Sequence, residues 1–102
     1  MVIFLALYTT PTDPQAFDRH YRNVHVPLAK QLPGLRRYTL SRNVTPVRGD
    51  DPYYLVAQLE WDDMDALRAA FQSPQGRATA DDVANLTNYA NTNSMIYEAE
   101  DV

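Results

Sequence analysis

Residues 17–38 read FDRHYRNVHVPLAKQLPGLRRY, and this stretch says most about how the chain folds. A helix advancing about 100° per residue from Phe17 puts Tyr21 at about 40°, Val24 at about −20°, Leu28 at about 20° and Leu32 at about 60°. These residues form one apolar stripe, the face a helix turns toward a core. His25 falls at about 80°, on the flank of that stripe and one turn beyond Tyr21. Pro27 follows two residues later. It has no N–H for the Asn23 carbonyl and its ring crowds that turn, so the spacing predicts a kink there. Carbonyls freed by the kink would lie within reach of the His–Tyr pair. Pro33-Gly34 then stops the helix at about Leu32.

Upstream, Val2–Tyr8 is apolar on both alternating faces, with Val2, Phe4, Ala6 and Tyr8 on one and Ile3, Leu5 and Leu7 on the other. Such a strand needs cover on both sides. Asp13 is placed to cap the helix and Pro14 to occupy its first position. Downstream, Arg37 to about Thr45 reads as a second strand and Pro46–Pro52 as a loop. Tyr53–Trp61 reads as a third strand. Its Tyr53, Leu55, Ala57, Leu59 and Trp61 form a core face, whereas Tyr54, Val56, Gln58 and Glu60 form a mixed face. Asp62 or Asp63 can cap a helix over Met64–Gln72 whose Leu67, Ala70 and Phe71 point inward. Ser73-Pro74 restarts a helix running to about Leu86, and Thr92–Glu100 reads as a last strand.

The order βαββαβ is a split-βαβ arrangement, an α+β ferredoxin-like unit with a four-stranded antiparallel sheet. Two helices can cover only one face of that sheet, and the first strand is apolar whichever face is left open. Leaving it in water forgoes roughly 1.5–3 kcal/mol for each large side chain. A second copy packing sheet on sheet would remove that cost, so the pattern predicts a homodimer.

All 102 residues suit one domain. A net charge of −4 with scattered acidic residues argues against nucleic acid as a partner. There is no cysteine, hence no sign of a disulfide framework or thiolate metal site. The apolar run at the N-terminus is too short to span a bilayer and lacks the flanks of a signal peptide. No membrane partner and a cytoplasmic location are the expectations. No Gly-rich phosphate loop or nucleophile elbow is present, and no cofactor is expected.

His25 is the candidate acid/base, since a neutral imidazole titrates near physiological pH, and Tyr21 is the candidate to orient it or the ligand by a hydrogen bond. The alternative is a half-buried His that satisfies the carbonyl freed by Pro27. His20 lies about 140° from His25 on an ideal wheel, too far for the two to share a metal unless the kink brings them together. Tyr38 and Arg42 of the second strand, with Tyr54 and Gln58 of the third, are candidates to line a ligand pocket on the mixed face. Tyrosines bordering a dimer interface would give the same pattern. Tyr38, Leu40, Arg42 and Val44 could instead pack on the helices.

The run His20, Tyr21, His25, Val26, Pro27, Leu28, Ala29, followed by Leu32, Pro33, Gly34, Leu35, Arg36, Arg37 and Tyr38, resembles the EthD family, named for ethyl tert-butyl ether degradation. The resemblance implies a dimeric α+β barrel of ferredoxin-like subunits. Its chemistry is open: barrels of this type host isomerases, decarboxylases and cofactor-free monooxygenases. The expected function is binding of a small apolar, aromatic or polyketide-like molecule, with proton-transfer chemistry if the chain is an enzyme. A non-catalytic accessory or ligand-carrier role is the alternative.

Overall fold

β1 (Val2–Tyr8) sits inside a four-stranded antiparallel sheet of order β2-β3-β1-β4, between β3 (Leu55–Trp61) and β4 (Thr92–Glu98), with β2 (Arg37–Leu40) at the far edge. The computed structural model describes residues 1–50 and 52–102. Asp51, within the expected Pro46–Pro52 loop, lies outside the described residues. The helices are α1 (Pro14–His20), a π-helical segment (Tyr21–His25), α2 (Val26–Ala29), α3 (Met64–Gln72) and α4 (Pro74–Leu86). The chain therefore has the ferredoxin-like βαββαβ order, as its hydrophobic periodicities imply. β2 is shorter than expected and ends at Leu40, and β3 starts two residues later than expected.

Registry shows which side chains meet the helices. Val2, Phe4, Ala6 and Tyr8 pair with Trp61, Leu59, Ala57 and Leu55, and this set forms the core or packs against it. Tyr38 and Leu40 pair with Leu59 and Ala57, so they too face the helices. Ile3, Leu5 and Leu7 pair with Glu60, Gln58 and Val56 and turn to the opposite, uncovered face. There Met95 and Tyr97 of β4 are 46% and 42% exposed.

The expected caps are present. The Asp13 carboxylate accepts from the Ala16 N–H with Pro14 at the first helical turn, Asp63 accepts from Ala66, and Ser73 accepts from Gly76. Gly76 lies inside α4, where a Cβ would collide with the backbone of Ala70 and Phe71, and so lets the two helices join closely. Gly34 takes φ +72 in the turn after α2, and Trp61 is fully buried beside it, its indole N–H donating to the Pro33 carbonyl at 2.9 Å.

Candidate functional site

Pro27 does not simply kink the helix. The chain widens into a π turn over Tyr21–His25, and the Val26 N–H donates to the Tyr21 carbonyl, five residues back. The wider turn answers the same problem that a kink would, namely a missing donor and a crowding ring. It also changes the side-chain geometry. In a π turn, residues five apart stand where residues four apart stand in an α-helix, so His20 and His25 come to one side. On an ideal α-helix they would diverge.

What they share is a carboxylate from another element. The Asp82 side chain on α4 accepts from His20 Nε2 at 2.8 Å and from His25 Nδ1 at 2.9 Å, one imidazole to each oxygen. Asn85, one turn further along α4, donates its amide to the same carboxylate at 2.9 Å. Asp82 is 6% exposed and His25 5%. Burial works to raise the Asp82 pKa, but hydrogen bonds from Asn85, His20 and His25 outweigh it and hold the carboxyl below its usual range. Burial also lowers the His25 pKa, and Asp82 offsets part of that shift. His25 is therefore neutral at physiological pH. Nδ1–H is the donor to Asp82, which leaves Nε2 carrying the lone pair.

His25 continues an aromatic ladder along the helix. Phe17 stacks on Tyr21 at 5.7 Å and Tyr21 lies 5.1 Å from the His25 ring, with Tyr8 of β1 set edge-on to both Phe17 and Tyr21. Between this helix, α4 and the sheet is a cavity of about 450 Å³, within the range of small-ligand sites. Its walls are mostly apolar or aromatic, including Phe4, Ala57, Leu59, Phe71 and Val83; the polar groups on them include His25, Tyr8, Tyr21, Tyr38, Thr79, Thr92 and Ser94. The Tyr21 and Tyr38 hydroxyls bond each other at 2.7 Å. Burial pushes the pKa of Tyr8, Tyr21 and Tyr38 above the ordinary phenol value, so all three keep their protons. Buried inside the same wall, the Thr92 hydroxyl has no protein partner among the described residues.

Three expectations are corrected. Tyr21 does not hydrogen-bond His25; its hydroxyl turns to Tyr38, while Asp82 takes the imidazole. His25 does not satisfy a carbonyl freed by Pro27, because a carboxylate is within reach and is the stronger acceptor. The four pocket candidates also do not share a face. Tyr38 reaches the cavity. Gln58 points from β3 to the uncovered side, opposite Leu5. Tyr54 precedes β3, packs edge-on to Phe17, and donates its hydroxyl to the Asp18 carboxylate. Arg42 lies beyond β2, on grooves outside the cavity.

Asp82 was missed by sequence reasoning, though a signal existed. It lies four residues before Leu86 and three after Thr79, on the stripe that α4 turns inward, and a carboxylate on an apolar stripe asks for a buried partner. Among the described residues no cluster of three or more His, Cys, Asp or Glu is placed to hold a metal ion. No described helix is long and apolar enough to cross a membrane.

The chain is a split-βαβ subunit of ferredoxin-like fold whose cavity wall carries tyrosines and His25, the latter bonded to the buried Asp82. The chain belongs to the EthD family: the EthD domain model matches residues 9–89. An uncharacterized 11.0 kDa protein from the thcB-thcC intergenic region of Rhodococcus erythropolis is 40% identical over 80 residues, 78% of this chain and 77% of that protein. The crystal structure of an EthD family protein from Bacillus halodurans superposes with a TM-score of 0.87 at 36% identity, covering 98% of this chain and 99% of that one. A single-residue variant of SnoaB, a cofactor-independent oxygenase from Streptomyces nogalater, gives a TM-score of 0.69 at 26% identity over 99% of this chain and 94% of that one. The fold is thus related to that of a cofactor-independent oxygenase.

Proposed function

We propose that this chain binds a small apolar, aromatic or cyclic molecule in the cavity and moves a proton on it without a cofactor. The observation that carries this reading is the neutral His25 on the cavity wall, held through Nδ1 by Asp82. Nε2 of His25 takes a proton from a carbon or hydroxyl of the ligand. The imidazolium so formed is stabilised by the Asp82 carboxylate, and the proton returns to another ligand atom. Isomerisation, dehydration and decarboxylation are reactions of this kind, and oxygenation joins them where dioxygen is the co-substrate. The Tyr21 and Tyr38 phenols stay protonated; one donates to the other, and the one whose proton is left free donates to a ligand oxygen on which charge develops.

A second reading, a ligand carrier or accessory protein without turnover, is favoured by one feature of the cavity. Apart from His25, no cavity-wall residue among those described titrates near neutrality. His25→Gln separates the two readings once a ligand is found. An enzyme loses at least about a hundredfold in kcat while still binding, a loss typical of a missing acid/base. Ligand binding with no turnover by the unmodified protein would establish the carrier instead.

The functional unit in this reading is a homodimer. The uncovered sheet face presents Leu5, Leu7, Val56, Met95 and Tyr97, and a second copy is the simplest cover for it. Native mass spectrometry should show twice the 11.6 kDa chain mass; a single-chain peak at micromolar concentration would refute the dimer.

A further inference from the structure

Two grooves lie outside the cavity, one against Tyr21 and one against Tyr38, and both are lined by Arg22 and Arg42. The groove at Tyr38, about 560 Å³, also takes Lys30, and no acidic residue lines it. In a chain of net charge −4 this is a local concentration of positive charge. Among the described residues none of these three cations has a carboxylate within ion-pair distance. The groove at Tyr21 also carries the Asp18 carboxylate, which accepts from the Tyr54 hydroxyl at 2.9 and 2.8 Å, so the groove at Tyr38 is the more positive of the two. The hydrogen-bonded Tyr21–Tyr38 pair is the boundary: each ring lines the cavity on one side and a cationic groove on the other. The Arg22 charge is felt by both phenols.

We infer that Arg22 and Arg42 form a subsite for an anionic group, and that the ligand is amphiphilic. It is a cyclic or aromatic body with a carboxylate or similar oxyanion. The body fills the cavity beside His25. The anion passes the phenol pair and lies between the two guanidinium groups, whose planar forks suit paired oxygens. This inference rests on the cavity reading above and adds the charge of the ligand to it.

The test is calorimetric titration with naphthoate and with neutral naphthalenemethanol, two probes of similar ring volume. Naphthoate should bind at least about tenfold more tightly, about 1.4 kcal/mol. The double variant Arg22→Gln, Arg42→Gln should lose that preference and keep its affinity for the neutral probe, which also reports that the fold is intact. Raising the salt concentration should weaken naphthoate alone. Equal binding of both probes, or a naphthoate preference that survives the double substitution, would overturn the subsite and leave the cavity reading standing. Binding of neither probe would remove both together.

Discussion

The two faces of the sheet are built from the same strand, β1, and both are apolar along it, yet they serve different ends. On the helix side, Val2, Phe4, Ala6 and Tyr8 are covered, and the cover is incomplete by about 450 Å³. Into that gap the π turn brings a buried imidazole and the Tyr21 phenol, α4 holds the imidazole from behind through Asp82, and β1 and β2 add the phenols of Tyr8 and Tyr38. On the other side, Leu5 and Leu7 meet Val56, Gln58, Met95 and Asn93, with no helix and no buried titratable pair among the described residues. Apolar surface alone therefore does not mark the site. The polar groups gathered between the helices and the covered face do.

The largest expected effect comes from breaking the uncovered face. Leu5→Asp with Tyr97→Asp places charge in the middle of the proposed sheet-on-sheet contact. Association should weaken by at least about a thousandfold, about 4 kcal/mol. Sedimentation analysis would show a monomer with unchanged helical content. A dimer that survives both substitutions would place the interface elsewhere.

Next in size is Asp82→Ala on the covered face. It strips both imidazoles and the Asn85 amide of their shared acceptor, and hydrogen bonds to a charged group contribute roughly 1.5–3 kcal/mol each. A net loss of about 3 kcal/mol is expected, read by denaturant unfolding at neutral pH. A loss below about 0.5 kcal/mol, the size of an ordinary surface change, would mean the carboxylate has little structural role.

These two outcomes also measure what could be seen in the sequence. The strands, both long helical regions and their caps at Asp13, Asp63 and Ser73 follow from local periodicity and short-range hydrogen bonding. So does the need to cover both faces of β1. His25 was visible because it flanks an apolar stripe two residues before a proline. Asp82 was not joined to it, because the link spans 57 residues and depends on a π turn that an ideal helical wheel does not contain. Gln58 and Tyr54 were misplaced for a related reason. Alternation gives two faces to the third strand, but only the pairing of Tyr38 with Leu59 shows which of them the second strand shares with the cavity.

A smaller and finer probe is pH. His25 has a lowered pKa in the folded protein, so the unfolded chain takes up its proton first, at about pH 6.5. Stability from this group is complete above that pH. It falls as pH drops toward the folded value, with a slope of at most about 1.4 kcal/mol per pH unit. Asp82, also lowered, adds a second decline below about pH 4. His25→Gln should flatten the first decline and leave the second. A Leu5→Ala change on the uncovered face should leave both unchanged, since it adds no titrating group and touches neither His25 nor Asp82. NMR titration of Asp82→Asn should move the His25 midpoint further down, because the carboxylate is what raises it. A midpoint that rises on removing Asp82 would contradict the assignment of that carboxylate as the imidazole's stabilising partner.

The smallest effect expected is at the boundary between the cavity and the cationic grooves. Tyr38→Phe keeps the ring in the wall and removes only the hydroxyl that meets Tyr21. A hydrogen bond between neutral groups contributes about 1 kcal/mol net, and the exposed side of Tyr38 lets water replace part of it, so stability should fall by less than that. Ligand binding separates two roles for the pair. If the phenols hold a ligand oxygen, affinity falls with the lost hydroxyl and Tyr21→Phe has a comparable effect. If they only pack the wall, both variants bind the neutral probe as tightly as the unmodified protein does. A loss confined to Tyr21→Phe would instead assign the contact to the buried phenol alone, nearer His25, and place the ligand's oxygen deeper in the cavity.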